Sequence, residues 1–348
     1  MLNASLIKII VTFLVGLAIN ISYALPTDSA FFSAVNLDYP GLDSTKQYVA
    51  LKEYDNAKRV YVDFVTHRTD RKFFYNYNQK DSIMAIVRSI YPGLDTLSAA
   101  SISSANKTLA GILCVNSVCD TFSGNVDWLS IPPGGSPEYP AQIQRHTVFY
   151  DLGLAYWITG NIAYRNKMIS LFKDWITNVP QSSWHSIDAG IRIHVWFYAY
   201  NFIVNSPDIP YQDYFDIFKS MMQHGNFLSP YQISYNPSNF QVLECLGFVK
   251  LGLFFPEWKN SATWFSRSIA RFNDQLLNGF LPDGYHNEVS GIYHSTVHYF
   301  PNIENLCKLN NLTDFSAPAI AHMKKAFEAY FSTNLSTGWY CMTGDARL

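Results

Sequence analysis

The chain has 348 residues, 48% hydrophobic and 15% charged, with 25 Lys+Arg against 27 Asp+Glu for a net charge of -2. Such a composition excludes a disordered tail or a coiled coil, which carry far more charge. It also excludes the basic footprint of a nucleic-acid binder, so any polyanion must be gripped locally.

Residues 1–24 read as a secretory signal peptide: Lys8, the apolar run Ile9 to Ile19, then the small-x-small site Ser22-Tyr23-Ala24 before Leu25. The apolar run is about half the roughly 20 residues that span a bilayer. No membrane anchor is therefore expected after cleavage, and the mature protein is expected to be secreted or periplasmic. Export permits disulfides, and Cys114 and Cys119 are the expected pair. Cys245, Cys307 and Cys341 leave an odd thiol, with no pairing readable from the sequence.

From residue 25 to 141 the pattern predicts an arm of short helices and long loops. Helical stretches around Ser44 to His67 and Asp81 to Ile90 are followed by a loop-rich section through Asn106, the cysteine pair and Ile131-Pro-Pro-Gly-Gly-Ser136. From residue 142 to 348 the chain reads as helix after helix. Thr147 to Ile158 and Ala163 to Thr177 flank Thr159-Gly160-Asn161, an αα-hairpin. Further segments run from Ile187 to Val204, Tyr211 to Asn226, Asn239 to Phe254, Glu257 to Asn278, Val289 to Leu309 and Ala317 to Ser332. Stacked helix pairs of this spacing close into a solenoid or an α/α toroid, and periodicity alone does not choose between them.

Polar and aromatic residues concentrate in three places: Glu138 to His146, Trp184 to Trp196, and Ser238-Asn239-Phe240 together with Asp283 to His294. Each opens or precedes a helix, where the loops of stacked pairs gather on one rim and helix N-termini attract anions.

The run Ser238-Asn-Phe-Gln-Val-Leu-Glu-Cys-Leu-Gly, then Leu253-Phe-Phe-Pro-Glu257, Leu281-Pro-Asp-Gly and Gly291-Ile-Tyr-His294, resembles the heparinase II/III family of polysaccharide lyases. Phe31-Phe-Ser33, Asp127-Trp128, Gln144-Arg-His146, Ala155-Tyr-Trp-Ile-Thr-Gly160 and Asp188-Ala-Gly-Ile-Arg192 fit the same family. The resemblance covers nearly all of the mature chain and rests on the order and spacing of motifs that are individually weak. It implies an all-α fold, an incomplete α/α toroid of stacked helix hairpins preceded by the loop-rich arm. It also implies β-elimination on a uronic-acid polysaccharide such as heparan sulfate or alginate: the C5 proton is removed and the oxygen at C4 leaves.

By the same resemblance Asn239 is the neutral donor that stabilises the carboxylate as it gains enolate character, and Tyr293 transfers the proton. Gln144, Arg145, His146, Trp184, His185, Arg192 and His294 are candidate contacts for the anionic polysaccharide. Each residue also has a plainer reading: Asn239 as an N-cap, Tyr293 and Trp184 as packing, Arg192 as an ion-pair partner of Asp188. His294 and His298 stand at i, i+4 but lack a third ligand motif, so no metal and no cofactor is expected in this chain.

Two departures from the family pattern stand out. Several relatives carry a His after the family Asn, where this chain has Phe240. The family also continues into a C-terminal β-sandwich that supplies a catalytic His in many members and often a metal site, and this chain is expected to be truncated before it, with very weak or no lyase activity by itself. Two other functions fit the sequence: an inverting glycoside hydrolase using a carboxylate pair from Asp188, Asp283 and Glu288, and a non-catalytic glycan-binding fragment.

Overall fold

The computed structural model describes residues 25–94, 98–232, 237–288 and 291–332. The expected signal peptide and Cys341 lie outside the described residues, as does the C-terminal stretch from residue 333. The helices, in chain order, are α1 Asp28–Ser33, α2 Asp43–Ala50, α3 Tyr54–His67, α4 Lys80–Ile90, α5 Ala99–Leu109, α6 Tyr139–Ile143, α7 Val148–Thr159, α8 Ile162–Asn178, α9 Ser186–Ile203, α10 Tyr211–Leu228, α11 Asn239–Phe254, α12 Ser261–Asp274, α13 Gly291–His294, α14 Tyr299–Leu309 and α15 Ala317–Ser332. A hairpin of β1 Ile112–Val115 and β2 Val118–Thr121 follows α5.

The helices stack as an incomplete α/α toroid. In the inner layer α7 packs on α9, α9 on α11 and α11 on α14, while α8 and α10 pack behind them and α12 packs on α11. Helices α7, α9 and α11 carry buried residues all round, as helices covered on every side must. Two glycines set how closely the inner helices approach. A Cβ on Gly190 of α9 would stand 2.3 Å from the Leu243 carbonyl oxygen of α11, and one on Gly247 of α11 would stand 2.5 Å from the Gly190 carbonyl oxygen. The α7 helix stops at Gly160, whose φ of 71° is the left-handed cap that glycine adopts without strain.

The arm is built into the same core. Phe31 of α1 packs edge-on against Phe215 of α10 at 4.8 Å and against Tyr61 of α3 at 5.4 Å. The Tyr61 hydroxyl donates to Glu257 Oε1 at 2.9 Å and accepts from Trp258 Nε1 at 2.8 Å. Arg68 donates to the other Glu257 oxygen at 2.9 Å. These contacts hold residues 257–258 in an irregular segment, so the helix expected from Glu257 begins at Ser261 instead and ends in a π-turn at Gln275–Gly279.

Other expectations change in detail. The helix expected over Ser44 to His67 is two, broken where Lys52 takes a φ of 60°, so that α2 folds back on α3. The section expected to be loop holds α5 and the β1–β2 hairpin, in which Cys114 sits opposite Cys119 with Cα atoms 4.0 Å apart and sulfurs bonded. Asn116 and Ser117, both at positive φ, form its two-residue turn. Many aromatic residues that would suit sugar rings lie in this core, among them Trp175, Trp196 and Trp264.

Candidate active site

Asn239 opens α11, preceded by Ser238 in extended backbone with no side-chain cap bond. The acceptor for the orphan N–H groups of this helix start comes from a distant part of the chain. Glu288 Oε2 accepts the Asn239 main-chain N–H at 2.6 Å, and the Asn239 amide nitrogen donates to Oε2 and Oε1 at 2.9 and 3.1 Å. Asn239 is only 4% exposed, so its two kinds of donor form a small cradle holding one carboxylate. A negative group there also faces the positive end of the helix dipole.

The loop that delivers Glu288 is pinned at several points. Asn287 Nδ2 donates to the Pro237 carbonyl at 3.3 Å, and the Glu288 N–H donates to His286 Nδ1 at 3.2 Å. His286 is fully buried, and burial, opposed by the Glu288 charge, pushes its imidazole down to about 4. It therefore stays neutral and can accept. Tyr293 follows in α13, half-buried, and its carbonyl accepts from Thr296 Oγ1 at 2.7 Å. The loop ending in Glu288 thus meets Asn239 at the start of α11. Phe240 is 53% exposed beside Asn239, an apolar surface at the start of α11.

A second cluster contains Arg145, Asp188 and His185. Arg145 Nε donates to Asp188 Oδ1 at 2.6 Å, and His185 Nδ1 lies 3.5 Å from Asp188 Oδ2. Asp188 is buried, Arg145 is partly exposed and His185 is mostly exposed. Of the expected ligand contacts, these two basic side chains are the ones that present surface.

The remaining candidates, Gln144, His146, Trp184, Arg192 and His294, are buried. Arg192 is fully buried: Nε donates to His224 Nε2 at 2.9 Å and a terminal nitrogen donates to the Gln144 carbonyl at 3.0 Å. Its expected ion pair with Asp188 is absent, because Arg145 takes that carboxylate. Trp184 stacks on His224 with centroids 4.0 Å apart. His146 is fully buried; Nδ1 accepts from Trp196 Nε1 at 2.9 Å, and burial with the nearby Arg192 charge holds the ring well below its usual pKa. The buried Gln144 donates to the Trp128 carbonyl at 3.2 Å. His294 is buried, makes a 2.8 Å bond between Nε2 and the Ala326 carbonyl, and is enclosed by Phe280, Tyr285 and Tyr330.

Glu288 was invisible as a partner of Asn239 because 49 positions separate them. His224 and Trp175, which enclose Arg192, likewise carry no motif. The three carboxylates suited to hydrolysis all have structural tasks: Asp188 holds Arg145, Glu288 holds Asn239, and Asp283 accepts the Tyr285 N–H at 3.0 Å. Among the described residues no group of three or more His, Cys, Asp or Glu gathers as a metal site, and no helix is long and apolar enough to cross a membrane.

Residues 31–348 match the model of the Heparinase II/III N-terminus family. The chain is 24% identical over 331 residues to a heparin-sulfate lyase of Bacteroides thetaiotaomicron, covering 88% of this chain and 44% of that protein. It is 22% identical over 275 residues to a heparin-sulfate lyase of Pedobacter heparinus, covering 76% and 40%. The chain therefore spans less than half the length of these curated relatives. Among solved structures, a heparinase III superposes with a TM-score of 0.72 at 20% identity over 89% of this chain and 48% of that one. A heparan sulfate lyase of Pedobacter heparinus gives 0.67 at 20% identity over 90% and 49%. These likenesses carry the fold, and the match over residues 31–348 carries the family: the chain belongs to the Heparinase II/III N-terminus family.

Proposed function

We propose that this chain forms the helical part of a secreted or periplasmic polysaccharide lyase that cleaves heparan sulfate-like uronic-acid glycans by β-elimination. The observation that carries the proposal is the Asn239 cradle, whose main-chain and amide donors already grip a carboxylate. Glu288 Oε1 and Oε2 stand in for the two oxygens of a uronate carboxylate. Removing the C5 proton pushes charge onto those oxygens, and donors fixed in a buried site stabilise the growing charge with little reorganisation.

Tyr293 is assigned the proton transfer. Its phenol serves as the base toward C5–H or as the acid toward the C4 oxygen, and either duty requires it within hydrogen-bond reach of the bound sugar. Arg145 and His185 supply exposed positive or polarisable groups on the neighbouring helix end for the glycan's remaining anionic groups. With a net charge of -2, recognition of a polyanion depends on such local groups.

Product absorbance tests the reaction class. Incubation of the intact gene product with heparan sulfate is expected to yield unsaturated uronides that absorb in the near ultraviolet. New reducing ends without that absorbance would identify a hydrolase, and binding without new ends would identify a glycan-binding protein.

A further inference from the structure

The Asn239 cradle is filled by a carboxylate of the protein itself, from a loop remote in sequence. We propose that Glu288 is a built-in surrogate for the substrate carboxylate, occupying the donors of Asn239 until a uronate displaces it. This inference rests on the assignment of Asn239 as the carboxylate donor.

The chemistry of the two groups is the same, and they compete for the same hydrogens. Both the main-chain N–H and the side-chain amide of Asn239 point at Glu288, so a uronate that bound without displacing it would find its donors taken. Charge enforces the exchange. The buried His286, whose Nδ1 accepts the Glu288 N–H and lies 3.8 Å from Oε2, is neutral and does not balance the Glu288 charge. A second carboxylate in contact with Glu288 would therefore meet an uncompensated like charge, an arrangement that disfavours both ions together. The Glu288 side chain is 31% exposed, which leaves it solvent to turn into when it yields.

The surrogate also explains how a catalytic amide can stay ordered without substrate. A buried donor left unpaired is costly, and the helix start has no cap from Ser238. Glu288 satisfies those donors in the free protein and is released when the ligand offers an equivalent acceptor.

Calorimetric titration with an unsulfated glucuronate-containing hexasaccharide tests the exchange in the intact protein, Glu288→Ala, Glu288→Gln, Asn239→Ala and the Asn239→Ala/Glu288→Ala double variant. Glu288→Ala should bind about tenfold more tightly than the wild type, since the sugar no longer displaces a charge-assisted bond. Glu288→Gln, which keeps the shape of the loop but loses the charge, should gain less, and the double variant should lose the gain. Equal or weaker binding by both Glu288 variants, with Asn239→Ala impaired, would overturn the inference and leave Glu288 as a positioning residue. Binding unchanged by Asn239→Ala would instead remove the assignment of Asn239, and the inference with it; no measurable binding by any form would do the same.

Discussion

The guanidinium carbon of Arg192 lies 4.1 Å from the ring centre of Trp175 and 5.1 Å from that of Trp184, a buried cation enclosed by two indoles. Its hydrogen bonds go to a neutral His224 and a main-chain carbonyl. A lysine cannot reproduce the planar, stacked fork. Arg192→Lys is expected to lower stability by about 2–4 kcal/mol in urea unfolding, with glycan affinity of the folded fraction unchanged. Loss of affinity at full stability would return Arg192 to the ligand-binding surface.

The Cys114–Cys119 link closes a short hairpin in the arm, with a sequence separation of 5. Loop-closure entropy for so short a loop gives about 2 kcal/mol. Protein recovered from the exported fraction should show the linked peptide by mass spectrometry, and Cys114→Ser with Cys119→Ser should reduce stability by about that amount. Free thiols at both positions would refute the pairing.

Lys250 is fully buried, donating to His194 Nδ1 at 2.9 Å and the Leu246 carbonyl at 3.0 Å. Burial, slightly opposed by Cys307, pushes its ammonium down to about 7, against about 10.4 for an unfolded lysine. Below pH 7 both states hold the proton, and the folded state bears the full cost of a buried charge. Between about 7 and 10.4 the unfolded chain binds the proton and the folded chain does not, so this group makes stability rise with pH. Lys250→Met should flatten that rise and stabilise the protein at pH 6 by on the order of 1–3 kcal/mol. Melting temperatures taken across this range decide it; an unchanged slope would show that Lys250 does not titrate there.

How much of this was legible follows from what periodicity records. Most helices from Val148 to Ser332 announced themselves because inner and outer layers are built from repeating apolar positions, and Gly160 marked the turn between α7 and α8, whereas the single helix expected over Val289 to Leu309 is α13, a 3-10 turn at Ser295–His298 and α14. The hairpin around Asn116 and Ser117 was missed because its strands have only four residues each, too few for an alternating pattern. The place of Asn239 at the start of α11 was legible, whereas its bond to Glu288 depends on tertiary packing between α11 and a later loop. Gln144, His146 and Arg192 look like ligand contacts because polar residues are usually exposed. Here they are buried and bonded to Trp128, Trp196 and His224, with His146 Nε2 and one Arg192 terminal nitrogen left without a hydrogen-bond partner.

Steady-state release of unsaturated uronide from heparan sulfate by the intact gene product, compared with Tyr293→Phe and Asn239→Ala, tests the proposed chemistry most directly. If Tyr293 moves the proton, its phenylalanine variant should lose roughly 10²–10⁴ in kcat with KM nearly unchanged, since the phenol acts mainly in the transition state. Asn239→Ala should lose roughly 10²–10³ in kcat, like other single donors to a developing oxyanion. Full kcat in Tyr293→Phe would contradict the assignment and move the proton transfer to another residue.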